Sequence, residues 1–334
     1  IDIRIDFNSW LPKNIDNDIS NKIINYYLKK FNNKKSAHDK IEFEILFTCV
    51  TFSTLKKIKK EFKNILTSKE IGIFYKSLKT INLNSLSKKD QDMKLVEELQ
   101  KRQNLINKSN LYEIDKIYWL IEDCKKFGTL PFAGLARSGF IAVELLNSLQ
   151  DTNIINENEK NTFLSSVKTI TSEMKNDFNK LNKKKFIIKY GHLRPGTYDI
   201  NSDNYDKGFN KYFTNKTSNK KDITKKVDIS KKLKGPIKKL SIYKNSSVFF
   251  KFIEESIAER EYSKFVFSKS IDLIFKNLTV FGNKFGITND DWSYVKIQKI
   301  LDMYFNLSNY PTIAQLKKDI KENKKEYLKN KLIN

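Results

Sequence analysis

Ten glycines and five prolines are the only strong backbone breakers in 334 residues, and that scarcity constrains the fold more than any motif does. Hairpins and tight turns depend on these two residue types, so a β-rich chain of this length needs many more. Long helices joined by few turns are the expected outcome. Apolar residues make up 39%, with 24 Phe and 15 Tyr, enough to bury a sizeable core in one large domain or two smaller ones. The fold class we expect is mostly α: a multi-helix central domain with a short extended or β N-terminal segment.

Periodicity refines this. Ile1, Ile3 and Ile5 alternate with Asp2, Arg4 and Asp6, which predicts an extended segment over residues 1–12, ended by Pro12. From Asp16 to Phe31, Ile19, Ile23, Ile24 and Tyr27 fall at helical spacing. Ser36 suits the N-cap of the apolar run AHDKIEFEILFTCVTF, read as a buried helix with a strand as the alternative. Amphipathic helices are expected over 55–66, 69–78, 87–107 and 112–126, and a long charged helix over 157–189 ending at Gly191. Residues 13–210 are read as the helical central domain, and 211–245 as a lysine-rich linker or flap without periodicity. The C-terminal helices span 246–334, a long one from Ser246 to about Leu278 and a largely charged last one near Ile313–Asn330.

Several function classes are disfavoured. Cys49 and Cys124 have no metal-ligand spacing and, with only two histidines, a zinc site is not expected. No signal peptide is recognised and no apolar stretch near 18 residues is expected, so the chain reads as soluble and cytoplasmic. It starts at Ile1, and its only methionines are Met93, Met174 and Met303, as expected of an excised portion of a longer polypeptide. The formal net charge of +24 invites a polyanion reading. Its lysines alternate with Asn, Asp and Glu, which favours solvated faces. A basic helical module for nucleic acid, or a non-catalytic spacer, is kept as the alternative.

Among 63 basic residues only five are arginine: Arg4, Arg102, Arg137, Arg194 and Arg260. Four of them sit in segments that break the Lys/Asn/Ile-rich background: IDIRIDFNSWLP, GTLPFAGLARSGF, YGHLRPGTYDI and AEREYSKFVF. An arginine retained in such a background points to a planar bidentate fork for carboxylate or phosphate. The bland reading is that each one braces a buried carboxylate. Arg194 precedes a proline and so favours extended backbone, which puts it on the same side as His192, with Asp199 returning beyond Pro195–Gly196. An Arg194–Asp199 pair bracing its own loop is the alternative. Arg260 and Lys264 are four apart on one helical face, with Glu261 beside them, a like-charge pair more natural around an anion. His38 and Glu42, also four apart, read as a polar pair within a helix. GTLPFAGLARSGF is rich in small residues, suiting close approach of a ligand or of a packed helix, but lacks the Gly-Lys-Ser/Thr of a P-loop.

Asp2-Ile3-Arg4 with Phe7-Asn8-Ser9, HDKIEFEILFTC (38–49), GTLPFAGLARSGF (128–140), YGHLRPGTYDI (190–200) and AEREYSKFVF (258–267) together resemble the central region of phosphoenolpyruvate-synthase-like and pyruvate-phosphate-dikinase-like kinases. The likeness is greatest to the branch encoded with capsule polysaccharide genes, which includes L-glutamine kinases. It implies an ATP-grasp domain and a mobile phosphohistidine domain in the same polypeptide, with ATP and Mg bound there and not by this part. It also implies an overall conversion of ATP, glutamine and water to AMP, phosphate and phosphoglutamine. By this resemblance the chain is the acceptor-binding central region and is inactive alone. The acceptor-site residues expected to share one pocket are Arg137, His192, Arg194, Asp199, Arg260 and Lys264. Arg4, His38, Glu42 and Glu261 are expected in support. His192, in its HLRPG context, is not the phosphocarrier.

Overall fold

The computed structural model describes residues 2–38, 40–214, 230–305 and 309–332; the side chains of residues 230–231 and 309–311 lie outside that description. It is 76% helical, with no strand among the described residues, so the protein is mostly α. The helices are α1 Ile3–Trp10, α2 Asn17–Asn33, α3 Ile41–Glu44, α4 Thr54–Glu61, α5 Ser68–Lys108, α6 Glu113–Asp123, α7 Leu130–Asp151 and α8 Glu157–Ser166. They continue as α9 Ile170–Lys180, α10 Lys183–Tyr190, α11 Phe209–Tyr212, α12 Ser230–Leu240, α13 Ser246–Phe285, α14 Asn289–Trp292, α15 Ile297–Tyr304 and α16 Asn309–Lys331. Two compact units are built from interleaved pieces: unit 1 from Ile1–Gln91, Ala133–Thr169 and Lys221–Arg260, unit 2 from Asp92–Phe132, Ile170–Lys220 and Glu261–Asn334.

Each unit has its own core. In unit 1, Ile23 and Tyr27 of α2 pack with Phe62, Phe74, Leu145, Leu149, Phe249 and Phe252. In unit 2, Ile117 and Leu120 of α6 pack with Leu278, Phe281, Trp292, Met303, Leu316 and Ile320. Each such side chain, moved out of water, contributes about 1.5–3 kcal/mol.

The N-terminal segment is a helix, not the extended piece its alternation suggests. Asp2 caps α1, its carboxylate accepting from Arg4 N at 2.9 Å and Ile5 N at 3.4 Å. The alternating isoleucines do not define a buried face, since Ile3 and Ile5 are exposed. Phe7 is the anchor, packed edge-on against Tyr27 and Phe31 at 6.2 and 6.0 Å.

The apolar run from Ala37 to Phe52 is also not the helix expected of it. It holds the end of a 3₁₀ turn (Lys35–Ala37), the single turn α3, and irregular backbone up to Ser53. Its hydroxyls compete with the helical ladder: Thr51 N donates to Thr54 Oγ1 at 2.8 Å, and Thr51 and Thr54 hydroxyls meet at 2.8 Å. The buried backbone is satisfied by a side chain instead. Asn82, wholly buried on α5, accepts from Val50 N at 2.8 Å and donates to Val50 O at 3.0 Å.

The charged stretch 157–189 is three helices rather than one. Asn156 and Glu159 form a capping box on α8, and Asn182 caps α10 by accepting from Lys185 N at 2.9 Å. The lysine-rich stretch 211–245 splits as well: residues 215–229 lie outside the described residues, while α12 turns Leu233, Ile237 and Leu240 inward at helical spacing. The segments expected as separate helices over 69–78 and 87–107 are one helix, α5. Finally, α6, a π turn over Cys124–Thr129 and α7 form one helical stretch from Glu113 to Asp151, the π turn lying just ahead of Pro131, which lacks an N–H. An 18-residue window there has mean hydropathy 1.3, so one stretch is apolar enough by length and composition to cross a membrane; 44% of the window is buried inside the protein.

Candidate functional site

Unit 2 contains a cavity of about 170 Å³ whose polar lining includes His192, Arg194, Thr197, Glu261, Lys264 and Ser268. Two segments far apart in sequence supply these groups. Chain reversal after α10 delivers YGHLR, and Gly191 makes the reversal possible by close approach rather than by an unusual φ. A Cβ there would lie 2.4 Å from the Ile187 carbonyl oxygen. The loop is then pinned by Tyr205 N donating to Leu193 O at 2.7 Å and Asp206 N to Gly191 O at 3.1 Å. The start of the α13 stretch in unit 2 delivers Glu261, Lys264, Phe265 and Ser268 at one-turn spacings.

His192 donates its Nε2–H to the Phe265 carbonyl at 3.0 Å and packs edge-on against the Phe265 ring at 4.6 Å. A carbonyl can only accept, so this bond fixes the tautomer and leaves Nδ1 with a lone pair. Burial pushes the imidazole down to about 4, against the opposing hydrogen bond, so the ring is neutral at pH 7. Beside it, Glu261 Oε2 is buried without a hydrogen-bond partner among the described residues. Lys264 is exposed and forms no ion pair among them. Tyr190, wholly buried, closes one wall, its hydroxyl donating to Asp177 at 2.8 Å.

Arg194 lines this cavity, but its fork is already engaged. It pairs with Asp272, donates to Ser202 O at 3.3 Å and lies over the Phe275 ring at 4.9 Å. Asp272 is 1% exposed and also accepts from Asn204 Nδ2 at 2.8 Å and pairs with Lys276 at 2.9 Å. Arg194 therefore braces a buried carboxylate, as does Arg102, paired with Asp123 at 2.7 Å. Neither the acceptor-clamp reading nor an Arg194–Asp199 pair describes this geometry. Asp199 is exposed and instead accepts from Asn201 N at 2.9 Å. On its other side Arg194 borders a polar cavity of about 370 Å³ with Asn201, Asn204, Lys276 and Asn289.

The remaining arginines belong to unit 1. Arg4 donates to Asn25 Oδ1 at 2.5 Å. Arg137 lies over the Trp10 ring at 5.2 Å and Arg260 over the Phe140 ring at 5.5 Å. His38 sits in the turn after the 3₁₀ helix and Glu42 in α3, so they do not share one helix. The wall residues Ile170, Thr171, Met174, Tyr190, Phe265 and Ser268 carry no isolated sequence signal. Tyr190 and Phe265 do lie within the two composition-breaking segments, and Ser268 lies one residue beyond the second.

The cavity is smaller than the roughly 300–1,000 Å³ of sites for drug-sized ligands, and does not fit a nucleoside triphosphate. No group of three His, Cys, Asp or Glu suited to a metal occurs among the described residues. Compared with protein-family models, curated proteins and solved structures, the chain matches none of them.

Proposed function

We propose that the unit 2 cavity is an acceptor site for a small zwitterionic molecule, an amino acid such as glutamine, within an ATP-dependent dikinase-type phosphotransferase of the glutamine-kinase kind. The observation that carries this reading is the unpartnered, buried oxygen of Glu261 on a wall shared with Lys264 and a neutral His192. A buried carboxylate oxygen without a donor is costly unless a ligand supplies one, and an ammonium or amide N–H does so.

In this reading Glu261 takes the acceptor's ammonium. Lys264, four residues from Arg260 and one turn from Ser268, takes the carboxylate as a point charge. His192 Nδ1 accepts from the side-chain amide N–H and orients its nitrogen, since its tautomer is fixed by Phe265. Arg194 acts through Asp272 to hold the loop that carries His192. The apolar walls exclude water and strengthen each of these contacts. The phosphoryl donor belongs to the ATP-grasp and phosphohistidine domains implied by the resemblance, so the chain alone binds and does not turn over.

Calorimetric titration with L-glutamine, glutaramate (which lacks the ammonium) and ATP tests this. Glutamine should bind, glutaramate roughly tenfold or more weaker, and Glu261→Gln should reduce the difference between them. Glutamine affinity unchanged in Glu261→Gln, or ATP hydrolysis by this chain alone, would overturn the reading.

A further inference from the structure

Three helices line the unit 2 cavity, and one of them is held differently from the other two. α10 contributes Tyr190 and sinks both Phe186 and Tyr190 into the fold, 1% and 0% exposed. α13 contributes Glu261, Lys264, Phe265 and Ser268, and between them Val266 and Phe267 are buried. α9 contributes Ile170, Thr171 and Met174, positions i, i+1 and i+4 of one face, yet none of its eleven residues is buried. A helix that buries no side chain fully gains less from leaving water than its neighbours do, and it opens at lower cost.

Polar ties to α10 hold α9 in place. Lys189 Nζ donates to Glu173 at 2.6 Å and to Asp177 at 2.8 Å, and the Tyr190 hydroxyl donates to the same Asp177 oxygen at 2.8 Å. Glu173 and Asp177 are four apart, so a single ammonium ties two successive turns of α9. Phe178 adds ring contacts to Phe186 at 5.6 Å and to Phe213 at 5.0 Å. Lys189 and Glu173 are 38% and 54% exposed, so their pair is worth little and is screened by salt. Such a tie is strong enough to bias α9 and weak enough to release it.

We infer, resting on the reading of this cavity as a binding site, that α9 is its door: the helix lifts to admit the ligand and is latched shut by Lys189 on Glu173 and Asp177. Glu261 Oε2 is cut off from solvent, so a ligand that reaches it must displace a wall, and α9 is the wall that buries least. Met174 and Ile170 then close over the bound molecule as part of the apolar lining. A latched door keeps water out and retains the ligand until the next step of its chemistry, and opening of such an element sets how fast ligands enter and leave.

A thiol placed on the door reads its opening without any ligand. Met174→Cys puts one on the cavity face, and the native cysteines serve as the reference. Cys49 and Cys124 are buried, with thiols that burial pushes up to about 12 and about 11, so they stay unreactive in the folded chain. Maleimide labelling at neutral pH, read by mass spectrometry, should modify the introduced thiol while Cys124 of unit 2 stays unmodified. Adding Lys189→Met should speed that labelling by roughly 2- to 30-fold, the range that two exposed ion pairs together sustain. Salt at about 1 M should speed it in Met174→Cys but not in the double variant, because only the latch is screened. Labelling that never outruns Cys124 would mean that α9 opens only when unit 2 unfolds, and equal rates with and without Lys189 would mean that there is no latch. Either result overturns the door, as does labelling of Met174→Cys as fast as a free thiol, which would mean a wall that stands open. If Met174→Cys does not fold, amide hydrogen exchange replaces it: Lys189→Met should exchange faster in α9 alone, and unchanged exchange there overturns the door. Saturating glutamine should slow labelling roughly tenfold or more. Labelling unaffected by glutamine, with the latch effect intact, would sink the glutamine reading and uphold the door.

Discussion

Arg194 of unit 2 and Arg137 of unit 1 stand in similar, composition-breaking segments, yet the protein uses them in opposite ways. Arg194 is 7% exposed and bound to a carboxylate that is itself 1% exposed and held by Asn204 and Lys276. Arg137 has an indole face and no carboxylate among the described residues. A retained arginine therefore marks a need for the guanidinium but not which need. Bracing satisfies the fork inside the fold, whereas a binding arginine keeps the fork open and accepts the desolvation cost.

The sharpest way to break that contrast is to remove the carboxylate that occupies Arg194. Asp272→Asn leaves the buried Arg194 without its counter-charge, while the half-exposed Lys276 can turn to solvent. Removing one partner of such a pair costs about 3–5 kcal/mol. Urea denaturation followed by a unit 2 probe should show that loss. A change below about 1 kcal/mol would mean that Arg194 is as open as Arg137.

Acid should separate the units next. His192 has a folded pKa of about 4, below its ordinary 6.5, because burial disfavours the charged ring. The folded state therefore binds its proton less tightly than the unfolded state. The contribution is fully present above pH 6.5 and is lost as pH falls from 6.5 toward 4, about 3 kcal/mol in all. The measurement is the difference in urea midpoint between wild type and His192→Gln across that window, which cancels the carboxylates common to both. Parallel curves would mean that the imidazole is solvated in the native state.

Neutral polar clamps should matter less than buried charge. Asn82→Ala removes both hydrogen bonds to Val50 and leaves a buried N–H and C=O unpaired. We expect about 2 kcal/mol of destabilisation, read in unit 1. A neutral result would show that water reaches the irregular segment between α3 and α4.

Helix content was legible from glycine and proline scarcity, and two helices with clear apolar spacing lie where expected, α2 and α13. What was not legible has physical causes. Alternation in 1–12 was outweighed by the Asp2 cap and the single anchor Phe7. The run to Phe52 reads as apolar, but its threonines redirect hydrogen bonds away from the helical ladder, and the clamp that rescues the backbone is 32 residues away. For the site, His192, Arg194, Glu261 and Lys264 line one cavity, while Arg137 and Arg260 sit with Trp10 and Phe140 in unit 1. Asp272 could not be picked out as the partner of Arg194, because 78 residues of chain separate them and only tertiary packing brings them together.

The smallest effect is the one that completes the comparison. Arg137→Met keeps an unbranched stem of similar reach over Trp10 and removes the charge. The lost cation–π contact is worth about 0.5–2 kcal/mol, and it is offset by relief of a desolvated guanidinium that no carboxylate compensates. We expect a net change within about 1 kcal/mol of zero, of either sign, in the same urea assay in which Arg194→Met loses several. A half-buried arginine whose replacement by methionine leaves stability intact is not retained to brace the fold. Should Arg137→Met instead destabilise unit 1 as strongly as Arg194→Met destabilises unit 2, the two arginines would share one structural role, and the contrast between an occupied and an open fork would fail.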